Sequence, residues 1–167
     1  EIPGNYQVYN LRGQTYLAIG DSTEAYNDFS TATKRYISDS PEIPDANIGY
    51  AYYSMAIIER YNNENLNKAL ELTQSGHELM QSESARLQDL FNDGSSDQRV
   101  LAGQEAQFVN IIDALNRFEL DIYRSSPAKY DEAVAKFKNA LAENPNDANL
   151  WLVYGNLIEY EDMDGAF

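Results

Sequence analysis

Apolar and polar positions follow one another at helical spacing from end to end of this chain. Tyr6, Tyr9 and Tyr16, with Leu17, recur at intervals of three and seven, which predicts a first helix ending near Gly20. Asp21 is placed to cap the next helix, with Glu24 three residues on completing a capping-box pattern, and Ala25, Phe29 and Ala32 form its apolar stripe. After Ser40-Pro41-Glu42-Ile43-Pro44, Asp45 can cap a helix carrying Tyr50, Tyr53, Ile57 and Tyr61. Asn62 and Asn63 break it, and Leu66, Ala69, Leu70, Thr73 and Leu79 continue as the return arm of a second hairpin.

The segment Asn92-Asp93-Gly94-Ser95-Ser96-Asp97 reads as a turn, with Asp97 a cap for the next helix. From Val100, the positions Leu101, Phe108, Ile111, Ile112, Leu115, Phe118 and Ile122 keep helical spacing to Arg124. That predicts the longest element of the chain, roughly 40 Å at about 1.5 Å per residue. Ser126 before Pro127 is a helix-start signature, because proline lacks only an N–H that the first turn leaves unpaired anyway. Tyr130, Ala133, Phe137, Ala140 and Leu141 mark a shorter helix that stops before Asn144-Pro145, and a last helix is expected from Ala148 to Tyr160, with Asp164-Gly165 as the turn after it. No segment alternates at period two between turn signals, so the expected fold class is all-α.

Helical hairpins in series raise the question of an internal period. Tyr9-x-x-Arg12-Gly13-x-x-Tyr16 followed by Ala25-x-x-x-Phe29-x-x-Ala32 resembles the tetratricopeptide repeat (TPR), with Arg12 standing where that family has leucine. The second half recurs as Ala133-x-x-x-Phe137-x-x-Ala140 and runs through Asn144-Pro145 to Trp151-x-x-Tyr154-Gly155, spaced as a repeat of about 34 residues would be. The resemblance implies a TPR-like solenoid of helical hairpins, a right-handed α-α superhelix. In it Gly13, Ala25, Ala32, Ala133, Ala140 and Gly155 would let helix axes approach, while Tyr16, Phe29, Phe137 and Trp151 fill the gaps.

The middle departs from the pattern. Ala25 to Ala69 is 44 residues and Ala69 to Ala133 is 64, and Thr73 and Gly76 stand where Phe and Ala would be expected. The expected organisation is therefore a single TPR-like domain over 1–167. It has one repeat over 1–40, a degenerate hairpin over 45–92 and a long helix plus a regular one over 97–145, with the start of a further repeat or a capping helix over 146–167. An extended helix pair, roughly Asn65 to Leu90 and Val100 to Arg124, makes the centre irregular. A terminal repeat must hide its apolar face, so more protein is expected beyond Phe167, and any export signal would precede Glu1.

Composition narrows the chemistry. With 27 Asp and Glu against 12 Lys and Arg, the net charge of −15 argues against a phosphate backbone as partner. No cysteine and one histidine leave no thiol, zinc or iron–sulfur chemistry, so neither a cofactor nor a metal is expected. Apolar runs such as Ala56-Ile57-Ile58 fall far short of the roughly 20 residues that cross a bilayer. His77 sits inside a predicted helix without a nucleophile motif, and no phosphate loop, G-x-S-x-G elbow or H-E-x-x-H helix is present, so no catalytic residue is assigned. In the acidic run Glu159 to Gly165, a calcium loop turning at Gly165 would put Tyr160 where its first acid belongs. The absence of cysteine and the few lysines lean towards an extracytoplasmic bacterial setting, in the periplasm or at the outer membrane.

Surface is left as the place for function. By the resemblance, the first helix of each pair lines a concave groove, into which Gln7, Asn10, Gln14 and Leu17 face from the first repeat and Asn149, Leu152, Asn156 and Glu159 from the last. Tyr50 and Tyr53 belong to a tyrosine set too broad for one buried face and join them. The expected function is a non-enzymatic interaction or scaffold module that binds a peptide or helix of another protein, a basic one by charge. The carboxylate-clamp mode of some family members lacks its lysines here. Two alternatives stand beside it: an assembly subunit of a bacterial envelope complex or homo-oligomer, and a small-molecule-binding component associated with a transporter.

Overall fold

The computed structural model describes residues 5–94 and 98–164, apart from the side chains at 98, 149 and 160–164. Seven helices follow in order: α1 (Tyr6–Ala18), α2 (Ser22–Asp39), α3 (Asn47–Tyr61), α4 (Leu66–Asp93), α5 (Gln98–Arg124), α6 (Pro127–Glu143) and α7 (Ala148–Asp164). The described residues contain no strand, and every regular element among them is a helix.

Local signals account for most boundaries. α1 ends at Ala18, and the chain turns at Gly20 with φ 85°, a conformation in which a Cβ would be strained. Asp21 Oδ1 accepts the Glu24 N–H at 3.1 Å, while the Asp21 N–H bonds Tyr16 O at 2.9 Å. Only one arm of the expected capping box is therefore used. The N-cap of α3 is Ala46 rather than the expected Asp45, which lies one residue earlier and accepts the Asn47 N–H at 3.0 Å, while Asn65 caps α4 through Lys68 N–H at 3.1 Å. α4 has 28 residues and α5, counted from the first described residue after 97, has 27, so the two form a pair of nearly equal long helices. α4 continues past Leu90 through Phe91, Asn92 and Asp93, residues of low helix propensity, until Gly94, whose φ of 65° ends it. The expected cap at Asp97 lies outside the described residues, as does the turn at Gly165.

The chain divides into two compact units, residues 1–118 and 119–167. In the first, α1 packs on α2, α2 on α3 and α3 on α4, with α1 also touching α3, which is an order of successive hairpins. Ala25, Ala32 and Phe29 are buried, and Gly13 faces the Phe29 ring so closely that a Cβ there would lie 2.8 Å from Phe29 Cε1. The irregular centre uses the same device. A Cβ at Gly49 would lie 2.6 Å from Met80 Sδ and 2.7 Å from Ile111 Cγ1, so α3 meets α4 and α5 across a glycine. Gly76, which breaks the repeat pattern, gives its missing Cβ's place to Tyr52, 2.7 Å away.

In the second unit α6 packs on α7. Ala133 and Leu141 of α6, Leu157 of α7, and Leu120, Ile122 and Tyr123 in the last turns of α5 are buried. Two markers behave otherwise than expected. Trp151 is 53% exposed, and nothing among the described residues lies within 4 Å of a Cβ at Gly155, so neither closes a helix contact.

Crowding at Gly49 is testable against an open glycine. Gly49→Ala should cost about 1–3 kcal/mol by overpacking, while Gly103→Ala, with nothing within 4 Å, should be neutral or gain up to about 1 kcal/mol from helix propensity. Urea unfolding of both variants checks this; equal stabilities would contradict the close approach of α3.

Candidate interaction surface on α1 and α3

The connection between α2 and α3, residues 40–46, is held by side chains from four helices. From α1, Tyr6 donates its hydroxyl to Asp45 Oδ2 at 2.9 Å, and Asn10 Nδ2 donates to Asn47 O at 3.1 Å. From α2, the Tyr36 hydroxyl accepts the Asp45 N–H at 3.2 Å and donates to Glu83 Oε2 of α4 at 2.5 Å. Arg86 of α4 pairs with Glu83 and donates to Pro41 O at 2.7 Å, and Gln104 Oε1 of α5 accepts the Ala46 N–H at 3.3 Å. The rings of Tyr6 and Tyr36 meet edge to face at 5.0 Å. Burial raises the pKa of both phenols well above its ordinary value. The nearby Asp45 carboxylate adds to this for Tyr6, and the hydrogen bond to Glu83 does so for Tyr36.

This bonding sets α3 alongside α1. The Asn10–Asn47 bond is the joint; one turn further on, α1 presents Gln14 and α3 presents Tyr50. Gln7, Leu11 and Gln14 share one stripe of α1 and are exposed, Leu11 by 66%, and Leu17 and Tyr50 are partly exposed at 38% and 36%. Leu11 was not among the expected groove residues. Its signal in the sequence is a large apolar side chain on the stripe of α1 that carries the glutamines.

Two expected groove residues have structural work instead. Asn10 is 5% exposed and bonded to Asn47, because α1 lies too close to α3 for its amide to reach solvent. Tyr53 is half-buried, with its ring edge on Phe118 at 5.4 Å, because it points towards α5. Gln7, Gln14, Leu17 and Tyr50 remain on the surface of the first unit. Leu152, Asn156 and Glu159 are exposed on α7 of the second unit, where Asn156 O also accepts from Arg124, and the side chain of Asn149 lies outside the described residues.

The charge of this face departs from expectation. α1 contains no Asp or Glu, and the one acid of α3, Glu59, is buried and accepts Asn63 Nδ2 at 3.1 Å. Arg12 is held by both Asp28 oxygens at 2.6 Å, with its guanidinium 5.4 Å from the Tyr9 ring centre and 6.0 Å from that of Tyr16. The acidity of the chain is thus carried by other surfaces than this one, which is neutral and rich in amides and rings.

Chemistry elsewhere is sparse. The buried carboxylates Asp28, Asp45 and Glu59 all accept structural hydrogen bonds, and His77 is half-buried with its Nε2 3.3 Å from Gln81 Nε2. Among the described residues no three His, Asp or Glu side chains are grouped to hold a metal ion, and no helix is long and apolar enough to cross a membrane.

The tyrosine network generates two expectations. Tyr36→Phe removes the partner of the Asp45 N–H and of Glu83, and should cost about 1–3 kcal/mol in urea unfolding; an unchanged midpoint would contradict the network. Because Tyr6 and Tyr36 titrate higher when folded than the unfolded value of 10.0, their contribution is complete below that pH and is lost as pH rises above it. Stability followed by circular dichroism should therefore fall on the alkaline side of pH 10, and less steeply in Tyr36→Phe.

No family model, curated protein or solved structure matches this chain, so a functional reading rests on this surface and on the packing beneath it.

Proposed function

We propose that the chain is a non-enzymatic interaction module, a TPR-like stack of helical hairpins whose α1–α3 face receives a segment of another protein. The observation that carries this reading is the exposed, charge-free row Gln7, Leu11, Gln14 and Tyr50 in a protein of net charge −15. Exposed apolar side chains set among amides, on helices fixed from below, suit a segment that is gripped through its backbone and anchored by an apolar side chain. The order of hairpins and the glycine contacts at Gly13, Gly49 and Gly76 support the repeat reading. The occupation of Asp28, Asp45 and Glu59 by structural bonds supports a binding role over acid–base catalysis. A neutral face calls for a neutral segment here, in place of the basic one that total charge alone suggested.

Photo-crosslinkers placed at Gln7, Gln14 and, as control, at Lys34 on α2 test the reading. Crosslinks to a partner should form from the first two positions and not from the third. Leu11→Asp and Tyr50→Ala should each weaken the captured complex about tenfold with helical content unchanged. Variants that bind as tightly as the parent, or crosslinks only from α2, would contradict it.

A further inference from the structure

The last helix carries a second exposed face of different chemistry. On α7, Trp151, Leu152 and Ile158 are 53%, 63% and 37% exposed, while Leu157 on the opposite side is fully buried. At about 100° per residue, Trp151 and Ile158 fall in one row and Leu152 and Glu159 in the next, with Gly155 between the rows one turn on from Trp151. Since nothing among the described residues lies within 4 Å of a Cβ at Gly155, the glycine forms a notch framed by these side chains. A mid-helix glycine weakens a helix relative to alanine, and no contact among the described residues uses the space it leaves.

The tryptophan is already fixed in place. Its indole N–H donates to Pro145 O at 2.9 Å, and its ring meets Tyr154 edge to face at 6.4 Å. A ring held this way loses little freedom when a partner covers it. The charge of the helix is one-sided as well: the sequence of α7 holds Glu159, Glu161, Asp162 and Asp164 and no Lys or Arg.

We infer that this face docks an amphipathic helix of a partner protein, with apolar side chains over Trp151, Leu152 and Ile158, one of them in the Gly155 notch, and Lys or Arg side chains towards the acidic end of α7. Charge complementarity selects this occupant. A second copy would bring a helix with the same four acids and another −15 of charge, which repels. The inference rests on the reading of the chain as an interaction module and adds to it a second surface with its own partner chemistry.

Trp151 is the sole tryptophan, so its emission reports this face directly. The whole protein is titrated with a synthetic helical peptide of Leu, Ala and Lys, with Leu at helical spacing, and with the same peptide carrying Glu for Lys. The Lys peptide should shift the emission to shorter wavelength and saturate, with an affinity that falls as salt is added. The Glu peptide should do neither. Leu152→Asp removes apolar surface but adds negative charge, so it should weaken binding at least about tenfold, whereas attraction to net charge alone would strengthen it. Glu159→Lys should also weaken binding, with circular dichroism of both variants unchanged.

An unmoved emission, equal responses to both peptides, or undiminished binding by Leu152→Asp would overturn the inference. So would an emission that shifts with protein concentration alone together with a doubled mass in light scattering, which would mark a second copy as the occupant. Any of these results, obtained while crosslinks from Gln7 and Gln14 persist, defeats the α7 assignment and leaves the α1–α3 reading standing. Loss of those crosslinks with the Lys peptide still binding does the reverse.

Discussion

Everything in the first unit depends on how the connection from α2 to α3 is held. Its backbone carries the groups that a turn between two buried helix ends leaves without partners, and burying them unpaired would be costly. Tyr36, Arg86 and Gln104, one from each of three helices, supply those partners, Tyr6 of α1 bonds the Asp45 side chain, and Asp45 and Glu83 join the two tyrosines into one network. A network of this kind is effective only when every member is in place, so it favours one arrangement of the four helices over its neighbours. The glycine contacts at positions 13, 49 and 76 then set how near the helices lie within it.

A neutral surface on an acidic protein arises from the same arrangement. Asn10 is used at the joint between α1 and α3, so the amides left to face solvent on α1 are those of Gln7 and Gln14, with Leu11 between them. Arg12 is neutralised by Asp28 and Glu59 is buried, which leaves the contact face without net charge while the rest of the chain carries the excess of acids. A surface fixed before a partner arrives loses less entropy on binding than one that must be ordered. On α7 the balance is reversed: apolar side chains are exposed beside acids, and the tryptophan is the fixed element.

Much of this was legible in the sequence, and the exceptions have physical causes. Helical periodicity placed α1 to α6, because an apolar stripe is a local property, and Asp21, Asp45 and Pro127 marked starts through local bonds or geometry. The hairpin order came from short turns. At the site, Gln7, Gln14 and Leu17 were expected on the surface from the repeat resemblance and Tyr50 from a tyrosine set too broad for one buried face, and all four are exposed. Asn10 and Tyr53 were misplaced because their burial comes from α3 and α5, which lie far away in sequence. The tyrosine network was hidden for the same reason: Tyr36 and Glu83 are 47 residues apart, and no local spacing announces their bond. Arg12 read only as a departure from the repeat until Asp28 was found beside it.

The central claim is that the α1–α3 face is rigid because the connection beneath it is locked. Native-state hydrogen exchange of the Asp45 and Ala46 amides tests this most directly, since both lie outside the helices yet bond to Tyr36 and Gln104. The account predicts protection approaching that of Met55 and Ala56 within α3, so that these amides open only with the whole unit. Exchange at the rate of an unprotected loop, with α3 itself protected, would show that the connection moves freely and that the face is not pre-formed.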